Sequence, residues 1–251
     1  MLQGKIAWVT GGGSGIGEAG AIALAEAGAT VIVSGRDRAK LDGVVKKLGG
    51  AAEALALDIT DRDAVAKAGA DLIARHGACD ILVNSAGVNL ANRRWKNLDP
   101  PSFDRIIATN LNGTYYAIAA VLPHMRERRD GCIINVASWA GRHHTYMTGP
   151  AYNASKFAVV EMTHALNDDE GPNGIRACAL CPGEVATPLL AKRPVPPPAE
   201  DIARMLKPED LGRAIRFVAE MPPHVAINEL VISPTWNRIL VGGKDLIRAS
   251  I

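Results

Sequence analysis

The chain has 251 residues, 48 % of them hydrophobic and 22 % charged, with a formal net charge of +2. That length can bury a large core within one α/β domain, and the composition is that of a globular protein rather than a disordered or fibrous one. A charge of +2 is too small to make a nucleic-acid or membrane surface the main partner. The N-terminal MLQGKIAWVTGGG lacks the long apolar stretch of a signal peptide, and no apolar run has the length of a bilayer span, so the expected setting is cytoplasmic.

In chain order, residues 5–10 (KIAWVT) read as a short apolar strand that runs directly into Gly11-Gly-Gly-Ser-Gly-Ile-Gly17. An alanine-rich helix follows to about Ala27, with Gly28 as its terminator, and residues 30–34 (TVIVS) form a second strand. Strand, glycine turn, helix, strand is the pattern of a parallel pair joined by a right-handed crossover. The glycines let backbone approach a phosphate closely, and the helix start offers free N–H groups and a positive dipole end. The alternation then continues with a helix over 38–48, a strand over 52–57 ending at Asp58, a helix over 61–76 and a strand over 80–84 (DILVN). Residues 88–100 are polar and irregular, and a long helix is expected over 102–127, with Gly113 and Pro123 interrupting its pattern. A strand over 132–137 ends beside Ser138. A loop through Arg142, His143 and His144 leads into a helix carrying Tyr152-Asn-Ala-Ser-Lys156. A sixth strand over 175–180 precedes Pro182-Gly183, residues 184–206 are expected to be irregular and proline-rich, residues 208–219 are helical, and 226–232 form the last strand.

This rhythm predicts a Rossmann-type, doubly wound parallel sheet of about seven strands flanked by helices, in a single domain over 1–251 with a substrate-loop region at about 184–206. Ligands of such sheets lie outside the carboxyl ends of the strands. The glycine turn, residues 34–36, Asp58, Asn84, Ser138 and Pro182-Gly183 all fall there.

Tyr152 and Lys156, four residues apart on a helix, share one face. A free phenol titrates near ~10, and a neighbouring ammonium favours its ionised form, which suits a general acid/base. The spacing alone is common on solvated helices, so its position after a strand end carries the weight. The four cysteines (Cys79, Cys132, Cys178, Cys181) suggest no disulfide framework. Cys178-Ala-Leu-Cys181 has no second pair or histidine cluster at ligand spacing, and Cys178 lies in an apolar run, so no metal site is expected.

Thr10-Gly-Gly-Gly-Ser-Gly-Ile-Gly17, Asn84-Ser-Ala-Gly87, Asn110, Ser138, Tyr152-x-x-x-Lys156 and Pro182-Gly183 followed by Thr187 occur in an order and spacing that resembles the short-chain dehydrogenase/reductase family over nearly the whole chain. Serine at position 85 departs from the asparagine common there, and the loop from Ser138 to Tyr152 is about one residue longer than usual. The resemblance implies that Tyr152 gives a proton to a carbonyl oxygen or takes one from an alcohol. It implies that Lys156 depresses the tyrosine pKa and holds the nicotinamide ribose, that Ser138 orients the substrate oxygen, and that Asn110 holds a water linking Lys156 to solvent. Gly11, Ser14, Gly15, Ile16 and Gly17 would surround the pyrophosphate, Asp58 and Ile59 the adenine, and Asn84, Ala86 and Gly87 the nicotinamide side. Pro182, Gly183, Val185 and Thr187 would hold the carboxamide end. An acidic residue at the end of the second strand would exclude a 2′-phosphate, but here Gly35 is followed by Arg36, which can grip one. NADP is therefore expected in preference to NAD, with Asp37 the adjacent competing feature.

The substrate is expected to be a small carbonyl or secondary alcohol. Arg93, Arg94, Arg142, His143, His144, Lys192 and Arg193 fall in the segments that would build its pocket, which leaves an anionic carbonyl or hydroxy acid and a merely solvated set of charges as alternatives. The ending INELVISPTWNR resembles members acting on small 3-hydroxy acids or related carbonyls. One alternative is a 3-oxoacyl-carrier-protein reductase, with Arg126, Arg128 and Arg129 meeting an acidic carrier. Another is a non-catalytic, nucleotide-sensing interaction protein, against which stands the full Asn110, Ser138, Tyr152, Lys156 set. A homodimer or homotetramer is implied by the family resemblance.

Overall fold

The computed structural model describes residues 1–241. Seven parallel strands, β1 (Ile6–Thr10), β2 (Thr30–Gly35), β3 (Ala52–Ala56), β4 (Ile81–Asn84), β5 (Gly131–Val136), β6 (Ile175–Pro182) and β7 (Glu229–Ile232), form one sheet in the order β3-β2-β1-β4-β5-β6-β7. The order reverses between β1 and β4, and that switch point opens a crevice at the carboxyl edge. Strands β1, β2, β4, β5 and β6 are buried on both faces, as their unbroken apolar runs require.

Helices α1 (Gly15–Glu26), α2 (Arg38–Leu48) and α8 (Pro208–Ala219) cover one face, where Leu24, Leu41, Leu211 and Ile215 meet Val9, Val33 and Ile134. Helices α3 (Arg62–His76) and α5 (Gly113–Arg128) cover the other, with Leu72, Val121 and Met125 against Trp8, Leu82 and Ile133. Helix α6 (Pro150–Glu170) joins that second layer through Val159, Val160 and Met162. All seven strands run parallel, so their carboxyl ends share one edge and aim their loops into one crevice.

Three expectations are revised. The helix expected over 102–127 is α4 (Pro100–Ile107), one wide π-helical turn over Ala108–Asn112, and then α5. The turn brings Asn110 into the core, where it is fully buried, and Gly113 then packs on Ile59 where a Cβ would come within 2.8 Å. Residues 184–206 are more regular than their prolines suggest: a 3-10 turn over Pro188–Lys192 and the short helix α7 (Ala199–Arg204) interrupt them. The last strand begins at Glu229 rather than 226. A last helical turn, α9 (Arg238–Val241), ends the described chain.

Candidate active site and cofactor cleft

Two adjoining cavities occupy the crevice, of about 300 and 330 Å³. Gly11, Ser14, Ala86 and Gly87 line both. The first adds Gly15, Ile16, Ser138, Tyr152, Lys156, Pro182, Gly183, Val185 and Thr187, and the second adds Arg36, Asp58 and Ile59. Three of the expected site residues line neither cavity. Gly17 packs inside the glycine turn, where a Cβ would collide with the carbonyl of Gly11. Asn84 is buried, and its amide donates to the Asn135 side chain at 2.9 Å across the sheet. Asn110 lies behind the cavity wall.

The glycine turn fits a pyrophosphate. Gly11 is held at φ +65°, and any Cβ there would come within 2.7 Å of the Ala86 backbone, so the turn is drawn in against the start of the next loop. Ser14 occupies the cap position of α1 but its side chain makes no capping bond, leaving the first N–H groups of the helix for an outside acceptor. At the far end, Arg36 and Lys40 line the second cavity and, among the described residues, no carboxylate pairs with Arg36. Asp37 is occupied as the cap of α2, accepting from the Lys40 N–H at 3.2 Å with the Lys40 ammonium 3.5 Å away. Asp58 accepts from the Thr60 N–H at 2.9 Å and hydroxyl at 2.8 Å, and those bonds, the backbone one foremost, hold its carboxyl below the usual range.

Three of the four catalytic candidates, Ser138, Tyr152 and Lys156, meet in the first cavity. Ser138, at the end of β5, caps a 3-10 turn by accepting from the Ala140 N–H at 3.1 Å. Its hydroxyl is also a hydrogen-bond partner of the Tyr152 phenol. Lys156 is buried, and its ammonium donates to the Val136 carbonyl at 2.7 Å, 5.8 Å from the centre of the Tyr152 ring. Burial lowers the Lys156 pKa to about 8.

The lowering of the tyrosine pKa expected of Lys156 is not among the influences acting on the phenol in this structure. Burial pushes the Tyr152 phenol above its ordinary value, and the influences that oppose it come from Ser138, Arg193 and Arg93. The physical reason is the hydrogen bond to Val136, which directs the lysine head toward the end of β5.

Asn110 acts through other groups. Its side chain accepts from the Val88 N–H at 2.8 Å and donates to the Val88 carbonyl at 3.0 Å and to Ser155 Oγ at 3.1 Å. Ser155 in turn donates to the Tyr152 carbonyl at 2.8 Å. Asn110 thus ties the loop after β4 to the helix that carries the tyrosine.

Among the basic residues expected around the substrate, only Arg93 and Arg193 line the first cavity. Arg94 stacks over the Tyr146 ring at 3.6 Å, Arg142 pairs with Glu229 at 3.0 Å, and His143 lies against Trp139. Asn89, Trp139 and Glu184, from the segments 88–95, 139–148 and 184–206 expected to build the substrate pocket, line the first cavity, whereas Lys40 and Thr109 in the second were not anticipated. The cysteine thiols are buried and pushed up, Cys178 to about 12 and Cys181 to about 11, which makes them unreactive. Among the described residues no group of three or more His, Cys, Asp or Glu is placed to hold a metal, and no helix is long and apolar enough to cross a membrane.

A parallel sheet with a glycine turn at its switch point and a Ser–Tyr–Lys cluster beside it defines a nicotinamide-dependent oxidoreductase. A family model described as short chain dehydrogenase matches residues 5–195, and the chain belongs to that family. An uncharacterised oxidoreductase of Staphylococcus saprophyticus is 35 % identical over 93 % of this chain and 98 % of its own. Among solved structures, a 3-ketoacyl-(acyl-carrier-protein) reductase from Brucella melitensis complexed with NADH is 34 % identical, with a TM-score of 0.85 over 93 % of this chain and 98 % of that one. A metagenomic short-chain oxidoreductase in complex with NADP is 31 % identical, with a TM-score of 0.81 and the same two coverages. The protein is an NAD(P)-dependent oxidoreductase acting on CH–OH/C=O groups.

Proposed function

We propose that the protein is an NADP(H)-dependent oxidoreductase for a small carbonyl or secondary alcohol. The observation that carries the reading is the shared wall of the two cavities: Ser138, Tyr152 and Lys156 stand at one end, Arg36 and Lys40 at the other. Two cations beside the end of β2, with Asp37 turned into a helix cap, favour a ribose bearing a 2′-phosphate.

When bound, the nicotinamide supplies or receives the hydride. The chain supplies the proton and the positioning. Tyr152, held neutral by burial, donates its proton to the carbonyl oxygen in reduction and must lose it for alcohol oxidation. Ser138 hydrogen-bonds the same oxygen and stabilises the phenolate that remains. Lys156 keeps two of its three ammonium protons for the cofactor ribose while Val136 takes the third. Asn110 is a positioning residue whose side chain is used on Val88 and Ser155, so any water relay past it would use its main chain.

The likeness to a 3-ketoacyl-(acyl-carrier-protein) reductase favours a second reading, a carrier-bound thioester substrate. The arginines expected to meet the carrier weaken it. Arg126 pairs with Glu170, Arg128 with Asp80, and Arg129 donates to the Pro172 carbonyl, all beside the start of β5 and opposite the cleft. A purely nucleotide-sensing role is weakened by the Ser138–Tyr152–Lys156 cluster. The proposal carries with it a cytoplasmic setting, one domain over 1–251 with a substrate segment at about 184–206, and a homodimer or homotetramer. A panel of carbonyls and alcohols, followed through NADPH consumption or NADP⁺ reduction, tests the activity. Turnover preferring NADPH to NADH, abolished by Tyr152→Phe, is expected, and a clear NADH preference would sink the cofactor assignment.

A further inference from the structure

Arg93 is 4 % exposed and lines the same cavity as Ser138 and Tyr152. Its position is built. Gly149, at φ +81° just before the catalytic helix, lies so close that a Cβ there would collide with the Arg93 carbonyl. The guanidinium donates from Nε to the Leu90 carbonyl at 2.5 Å and from Nη2 to the Lys192 carbonyl at 3.1 Å. Those neutral acceptors fix its plane without balancing its charge. Among the described residues no carboxylate pairs with it, whereas its neighbour Arg193 has Glu184 at 2.7 Å. A buried cation held in place with no counter-charge is costly unless an anion joins it. Arg93 and Arg193 both act electrostatically on Tyr152, so that anion would lie beside the proton-transfer atom.

We propose that Arg93, with Arg193 beside it, is a carboxylate subsite, and that the substrate is a small hydroxy acid or the matching oxo acid. This rests on the oxidoreductase reading above and deepens it. A planar guanidinium matches a carboxylate, and a cavity of about 300 Å³ that must also admit the nicotinamide leaves room for a short chain. The carboxylate takes no part in the bond changes. In oxidation the carbinol C–H would leave as hydride to a bound NADP⁺, the O–H proton would pass to Tyr152 in its phenolate form, and the C=O bond would form.

The test compares kcat/KM for 2- and 3-hydroxybutanoate with that for their methyl esters, using NADP⁺, in the wild type, Arg93→Met and Arg93→Lys. The wild type is expected to prefer at least one acid over its ester. Arg93→Met should lower that acid-to-ester ratio by roughly 10–100-fold, mostly through KM, and Arg93→Lys should recover part of it. A ratio that Arg93→Met does not move overturns the subsite. A second arm needs no variant and no turnover: calorimetry of butanoate and butanamide with the wild-type NADP⁺ complex should show the acid binding about tenfold tighter or better, and equal affinity overturns the proposal. Ester turnover without acid preference would remove the subsite and leave the oxidoreductase reading standing, whereas full activity in Tyr152→Phe would remove that reading itself.

Discussion

Tyr152 and Lys156 sit one helical turn apart, and burial acts on both in the direction of neutrality, raising the phenol and lowering the ammonium. Burial of Lys156 makes stability depend on pH. Its pKa is about 8 when folded against 10.5 for the free group. Below about 8 the ammonium is present in both states and folding bears the full cost of burying it, about 3 kcal/mol. Between 8 and 10.5 the unfolded chain holds the proton that the native state has released, so stability rises with pH until the difference is gone. Urea unfolding of the cofactor-free protein should therefore show the wild type gaining about 3 kcal/mol on Lys156→Met over that window. A difference that stays flat would contradict the burial argument. The pairing of Tyr152 with Lys156 was legible, because spacing on a helix fixes which face two residues share. The direction of the lysine head was not, since it depends on the carbonyl of Val136 on a separate strand.

At the scale of elements, the π-helical turn at Ala108–Asn112 is the least expected feature and one of the most consequential. No proline falls within it and Gly113 only follows it, so the sequence reads as one long interrupted helix. The extra residue in the turn aims Asn110 at both polar backbone groups of Val88 and at Ser155. Asn110→Ala would leave three buried groups without that partner, with an expected loss of roughly 3 kcal/mol in unfolding free energy. Asn110→Asp, which keeps the acceptor for the Val88 N–H, should lose less. An alanine variant as stable as the wild type would show that the tie contributes nothing. The glycine turn, by contrast, was readable residue by residue, since strand, glycines and helix are adjacent in the chain. The burial of Arg93 was unreadable for the opposite reason: one of its acceptors, the Lys192 carbonyl, is 99 residues away.

For the whole molecule, alternating strands and helices were enough to give the parallel sheet and the edge on which the cleft opens. No motif in the chain marks where copies of it would pack. Tyr115 on α5 and Phe157 on α6 are 55 % and 43 % exposed, apolar rings on the two helices that back the site. If copies of the chain pack there, sedimentation equilibrium should return two or four times 26.5 kDa, and Tyr115→Glu with Phe157→Glu should shift it toward the monomer. A wild-type monomer at micromolar concentration would remove the proposal.

The central claim is that this fold brings a phosphate-reading cofactor site and a tyrosine proton donor to one carbonyl. Its most direct test is steady-state reduction of a single accepted carbonyl with NADPH and with NADH, by the wild type and Tyr152→Phe, alongside NADPH titration of both proteins. Expected are a higher kcat/KM with NADPH, a fall of about 10²–10⁴-fold in Tyr152→Phe, and NADPH binding that survives the substitution. Equal turnover by Tyr152→Phe, or a wild type that prefers NADH, would contradict it.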